Sequence, residues 1–291
     1  MISLDEERLI GQIFEITEGR GKLLPETLRY SLKALEEANW GRRSVYDGDA
    51  VPQKDDFWEL RQIKKMVAHT LALEIEEPAS ARSAYNYTVH GSMLALAMEF
   101  TQGIECVNIT AACIHEECKQ TGADKIHALS KGSVFAMMFL PTEAATLFNF
   151  TGQDTEKAEL KRRTIQCQVR SIPGTLQLRI WISALYKHLY SLFDPKTPII
   201  SIPFLVADAE RWEVYFACQK VESQQEDGNE NKEEGVVEGA DLCGPIDIGD
   251  TKSIQDAYMV LAVLRVLVRW TDSSFRAWAR GKLYELHDSN S

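Results

Sequence analysis

The chain has 291 residues, enough for one large domain with a full hydrophobic core. A hydrophobic share of 45% and a charged share of 26% are those expected of a soluble globular protein. The 32 Lys and Arg against 43 Asp and Glu leave a formal charge of -11, a field that repels phosphate backbones and makes nucleic acid a disfavoured partner.

Met1 is followed by Asp5, Glu6 and Glu7 before any long apolar run, so no secretory leader is expected. The segment 25–40 carries Leu28, Leu32 and Leu35 at the spacing of one helical face. Residues 42–54, with Gly48 and Pro52, read as a polar loop. A second helix is expected over 57–77, with Leu60, Ile63, Met66, Val67, Thr70 and Leu71 on one stripe and Pro78 as its breaker. A third is expected over 80–100, carrying Tyr85, Val89, Met93, Leu94 and Met98.

The period then changes. Residues 104–112 are rich in β-branched side chains and follow Gly103, which predicts a strand. The continuous apolar run 133–140 is that of a strand buried on both faces. Residues 164–170 alternate Ile165, Cys167 and Val169 against Gln166, Gln168 and Arg170. A helix over 175–192 follows, then strands at 199–206 and 212–218 with an acidic turn between them. The acidic, low-complexity stretch 222–239 is expected to be a disordered insertion within a single domain spanning 1–291. Helices over 251–270 and 274–286 close the chain. Helices first, then strands interrupted by a helix, predict a mixed α/β domain. The strongest apolar run, 259–270, contains Arg265 and Arg269 and reads as a buried helix. No stretch reaches ~18 uninterrupted apolar residues, so no membrane segment is expected.

The 6 cysteines (Cys106, Cys113, Cys118, Cys167, Cys218, Cys243) form no tight framework, which fits reduced thiols in a cytoplasmic protein. Cys113-Ile114-His115-Glu116-Glu117-Cys118 lacks the second ligand pair of a zinc site, and no metal is expected there. The basic groups Arg42-Arg43 and Lys161-Arg162-Arg163 read as solvated surface. GxGxxG, the Walker loop, GxSxG and HExxH are all absent, and Gly19-Arg20-Gly21-Lys22 is too short for a phosphate loop, so no cofactor is expected. His90, beside Tyr85, Asn86 and Tyr87, has two readings: a satisfied structural histidine, and a histidine sharing a pocket with its Tyr and Asn neighbours.

Several elements in a common order carry a family resemblance. They are LLPETLRYSLKAL (23–35), Tyr85-Asn86 with Val89-His90, Val107-Asn108-Ile109-Thr110-Ala111-Ala112, and Gln177 with Trp181, Ala184 and Leu189. Trp212 and the closing run Gly249, Thr251, Ser253, Tyr258, Leu264-Arg265, Trp270 and Trp278 complete them. Together these resemble the PD-(D/E)XK nuclease-like proteins of filamentous fungi. The resemblance implies a restriction-endonuclease-like core, a mixed central β-sheet flanked by helices, with an N-terminal helical part.

Active members of that class bind a divalent ion with a helix acid, a strand Asp and an E-x-K on the next strand. Carried over by position, the helix acid falls at Arg82, the strand Asp at Val134, and the E-x-K pair at Arg170 and Ile172. Ligand carboxylates have become cations and aliphatic groups, so the resemblance implies a degenerate member that does not cut nucleic acid. The remaining cleft is expected to hold Arg82, Arg170 and His90 as chemical groups, with Tyr85, Val134, Gln168, Ile172, Gln177 and Trp181 lining it. A mostly apolar pocket with a few fixed polar groups suits a small molecule, and an arginine fork suits its carbonyl oxygen. The first expectation is a metal-free cyclase or isomerase of fungal specialised metabolism, a pericyclic Diels–Alder closure being one form. The alternatives are a non-catalytic pseudo-nuclease that binds through 222–239, and a working nuclease recruiting Asp124, Glu143 or Asp154.

Overall fold

The computed structural model describes residues 4–19, 23–25, 28, 46–47, 56–75, 84–99, 101, 104–108, 134–139, 167–170, 179, 182–183, 185–187, 189–190, 198–219 and 240–288. Helix α1 (Leu4–Thr17) opens with Asp5, Glu6 and Glu7 at its dipole-positive end and buries Leu9, Ile13 and Ile16 on one side. Leu9, Ile13 and Ile16 recur at helical spacing, a pattern that the sequence reading passed over behind the acidic opening. Strand β1 (Leu24–Pro25) pairs in parallel with β2 (Tyr46–Asp47). Pro25 lies in β1 instead of opening the helix expected over 25–40; Leu28 is buried, and the rest of that segment lies outside the described residues.

Helix α2 (Asp56–Leu73) buries Leu60, Ile63, Met66 and Thr70 of the expected stripe, leaves Leu71 exposed, and ends short of the expected 77. The third expected helix begins as a π-helical turn (Tyr85–His90) and continues as α3 (Gly91–Met98).

Among the described residues the main sheet has six strands: β3 (Ile104–Asn108), β4 (Val134–Phe139), β5 (Cys167–Arg170), β6 (Ile202–Asp208), β7 (Arg211–Gln219) and β8 (Ala240–Asp250). They lie side by side in chain order. Only β5 and β6 run parallel; the other neighbours are antiparallel. A parallel neighbour requires a crossover, and helical residues between 179 and 190 supply it. The acidic turn is Ala209-Glu210, joining β6 to β7. The sequence reading contained no strand at β8, because acidic residues and Gly244-Pro245 mask its pattern. As the edge strand it tolerates a proline, which has no N–H to give a further neighbour.

Strand alternation divides β6 between two cores. Leu205 and Ala207 join α1, α2, α3 and the next helix, α4 (Ile254–Trp270). Ile202 and Phe204 instead pack on Ile182, Leu185, Tyr186 and Leu189 of the crossover, where the Tyr186 hydroxyl donates to the Ala217 carbonyl at 2.7 Å. The result is helices on both faces of a mixed sheet. In α4 the cation within the apolar run is accounted for: Arg265 pairs with the buried Glu59 of α2, while Arg269 is exposed. A π-helical turn (Thr271–Phe275) leads into α5 (Arg276–Asp288), and Phe275 stacks between Trp270 and Trp278 with centroids 5.7 Å from each. Among the described residues no helix is long and apolar enough to cross a membrane. The acidic stretch 222–239 lies outside the described residues.

Gly249, next to last in β8, has φ +110, and a Cβ there would lie 2.7 Å from Met259 Cε and 3.5 Å from the Asp256 carbonyl oxygen. Gly249→Ala should therefore cost about 1–3 kcal/mol in urea unfolding, from left-handed strain and the forced shift of Met259.

Candidate functional site

Across β4 and β5, Val134 stands directly opposite Arg170, and Ala136 opposite Gln168. Opposed residues in an antiparallel pair share a face, as do residues two apart. Positions 134, 136, 168 and 170 therefore form one patch of the sheet. Arg170 also registers with Val206 of β6, and Val206 packs against the crossover core. The patch thus belongs to the face covered by the crossover helix. Of the expected site, Val134, Gln168 and Arg170 come together as positions on this face. Arg82, Ile172, Gln177 and Trp181 lie outside the described residues.

Tyr85 and His90 belong to the other layer. Their rings lie 6.1 Å apart, and His90 meets Trp212 of the larger core edge-on at 5.1 Å. His90 is 2% exposed. Its Nε2 lies 2.7 Å from the Ala209 carbonyl oxygen and its Nδ1 3.0 Å from the Asn86 side-chain amide. A carbonyl only accepts, so Nε2 carries a proton. Burial holds the ring at about 4, far below its ordinary value, so at neutral pH that proton is the only one. Nδ1 is then an acceptor, which requires the Asn86 amide to be assigned with its nitrogen in the place of the Oδ1 that lies 3.0 Å away.

The bond from His90 fixes a strained point. Ala209 has φ +50, a conformation uncommon outside glycine. Around it run further ties. The Tyr85 hydroxyl donates to the Thr70 carbonyl at 3.2 Å, the Thr70 hydroxyl donates to Thr251 Oγ1 at 3.0 Å, and the Thr251 N–H donates to the Glu210 carbonyl at 3.0 Å. Burial raises the Tyr85 pKa, and the Glu210 and Glu74 carboxylates add to it, so the hydroxyl keeps its proton. At the surface Lys252 Nζ reaches Glu74 at 2.5 Å and Glu210 at 2.8 Å. These contacts tie α2, the π turn, the β6–β7 turn and the entry to α4 into one unit.

A general acid or base must reach a substrate proton. His90 is buried with both nitrogens engaged, which favours the structural reading of that residue and of Tyr85. Sequence reasoning missed Thr70, Ala209, Thr251 and Lys252 as partners. The usable signal was Thr70, a hydroxyl within an otherwise apolar buried stripe.

Three of the motifs quoted for the resemblance meet here: the 85–90 turn, Trp212 and the start of the closing run. Tyr85, Asn86, Val89 and His90 build the unit and Trp212 backs it. Gly249 has a positive φ of its own near the end of β8, Thr251 supplies the buried hydroxyl, and Ser253 caps α4 by accepting the Asp256 N–H at 3.0 Å. A sequence profile described as the PD-(D/E)XK nuclease superfamily matches residues 31–276. The chain belongs to this superfamily. Nothing among curated proteins and nothing among solved structures matches it.

The PD-(D/E)XK assignment bears directly on the patch at positions 134 and 170. Two strand positions in direct register suit a pair of carboxylates sharing one ion. Valine has no donor atom to offer, and a guanidinium repels a cation. The residues at this pair do not fit a divalent metal.

Proposed function

We propose that this PD-(D/E)XK chain has left metal-dependent cleavage behind and binds an apolar, oxygenated small molecule, promoting its cyclisation or isomerisation without a cofactor. The observation that carries the reading is the backbone register of positions 134 and 170, a valine and an arginine where the carried-over nuclease pattern puts two carboxylates. Arg170 polarises a substrate carbonyl through its donor fork, and the surrounding wall holds the reactive conformer. Gln168, two residues away on the same strand face, is a second polar group for orientation. A pericyclic closure of a polyene fits these means, since it needs orientation more than proton transfer. Fungal specialised metabolism in the cytoplasm is the setting we infer, because the motifs resemble those of fungal members.

Incubation of the purified full chain with a panel of oxygenated polyenes tests this. Arg170→Ala should lower the rate of product formation by about 100-fold, the usual cost of removing one pre-placed donor. Arg170→Lys should fall between, keeping the charge and losing the fork. Equal rates for the wild type and Arg170→Ala would remove the role given to Arg170.

A second reading, a non-catalytic interaction module, draws on exposed apolar residues near the His90 unit. Ile75 is 88% and Tyr87 83% exposed. Stabilisation by the small molecules favours the first reading; partner capture lost in Ile75→Ser or Tyr87→Ser favours the second.

A further inference from the structure

A second group of reactive side chains sits at the opposite edge of the sheet. Cys218 Sγ and Cys243 Sγ lie 4.0 Å apart. In the β7–β8 register Phe216 opposes Cys243 and Cys218 opposes Asp241, so the two cysteines are diagonal neighbours on one face. A covalent S–S of roughly 2.05 Å needs a further approach of about 2 Å. Cys243 stands on β8, the last strand in the sheet order, with Gly244 directly after it.

The two thiols have different surroundings. Cys243 is exposed, and Cys218 is half-buried. The Cys218 thiol donates to Glu6 Oε1 at 3.2 Å, and the Ser201 hydroxyl donates to Glu6 Oε2 at 2.6 Å. Glu6 belongs to α1 and is 5% exposed. The Cys218 thiol is therefore one of the donors that hold α1's carboxylate against the sheet.

We propose that Cys218 and Cys243 form a reversible disulfide in response to a peroxide oxidant, and that its formation loosens α1. The Cys243 thiolate attacks one peroxide oxygen, the O–O bond breaks, and the departing hydroxide takes a proton to leave as water. Cys243 is now a sulfenic acid. Cys218 then attacks the Cys243 sulfur. Its proton passes to Glu6, the S–O bond breaks, and the hydroxide leaves as a second water by taking that proton. Two thiols and one peroxide become one disulfide and two waters. Burial raises the Cys218 pKa to about 12, with Glu6 adding to the shift, so it stays a thiol while the exposed Cys243 meets the oxidant first. A disulfide sulfur has no proton to donate, so Glu6 loses that donor while Ser201 remains.

The test treats the full chain with near-stoichiometric hydrogen peroxide, followed by non-reducing peptide mass spectrometry. A linked pair of peptides carrying Cys218 and Cys243, lighter by two hydrogens and separated by dithiothreitol, is the expected product. Cys218→Ser should stop at the Cys243 sulfenic acid, trapped by dimedone, and Cys243→Ser should give neither. Amide exchange over 4–17 should rise about tenfold on oxidation in the wild type and not in Cys243→Ser. Linkage of Cys243 to any other cysteine, linkage between two molecules, or trapping of the sulfenic acid in the wild type as in Cys218→Ser overturns the pairing. Linkage with unchanged exchange over 4–17 overturns the effect on α1.

Discussion

Acidification from pH 6.5 to about 4 should remove about 3 kcal/mol of folding stability through His90 alone. The sign follows from which state takes the proton first. In the unfolded chain the imidazole protonates near its ordinary 6.5; in the folded chain burial holds it at about 4. Between those values the unfolded state binds a proton that the native state refuses. The contribution is whole above 6.5, shrinks as pH falls, and stops changing below about 4. Urea unfolding at successive pH values reads it. His90→Gln should flatten the slope of stability against pH in this window by about 1.4 kcal/mol per pH unit, the value of one proton. At neutral pH the same substitution should cost about 2–4 kcal/mol, since it loosens the strained Ala209 and the packing against Trp212. A slope that is the same in wild type and variant would mean that the ring titrates in the native state near its ordinary value, and the closed geometry around it would be wrong.

That unit also shows where legibility in the sequence ended. Helices α2, α3, α4 and α5, and strands β3 to β7, were readable because each has a strong period or a continuous apolar run. Helix α1 was passed over although Leu9, Ile13 and Ile16 keep helical spacing, because the segment was read only for its acidic start, and β8 was hidden by glycine, proline and aspartate. The partners of His90 come from two distant stretches of the chain: Tyr85 and Asn86 in its own helical turn, and Ala209 and Trp212 in the β6–β7 hairpin. No local pattern announces such a meeting. The PD-(D/E)XK resemblance brought those motifs together by name, without saying that their shared work is to hold the scaffold. The same limit applies to Glu6 and Cys218, separated by most of the chain and in contact through the docking of α1. Conversely, the facing of Val134 and Arg170 was implied by carrying the family pattern over, and strand register now supplies a geometric reason to treat them as a pair.

The pair leads to the other large effect. Wild-type protein in millimolar magnesium or manganese should show no metal-dependent rise in melting temperature and no cleavage of circular DNA. Val134→Asp with Arg170→Glu and Ile172→Lys restores by position the two carboxylates and the lysine of the nuclease pattern. At ten times its dissociation constant a bound ion stabilises the native state by about 1.4 kcal/mol, roughly a 3–5 °C rise for a domain of this size. That rise should appear in the triple variant. It should be absent from Val134→Asn with Arg170→Gln, which matches shape without charge. Binding without cleavage would still support the lost-ligand account, because the helix acid at position 82 remains an arginine and the ion would lack one anionic ligand. A metal-dependent shift in the wild type, with DNA cut, would instead mean that acids elsewhere in the chain have taken over the ion, and the small-molecule reading would fall with it. The two outcomes separate cleanly, since one needs the carboxylates at positions 134 and 170 and the other proceeds without them.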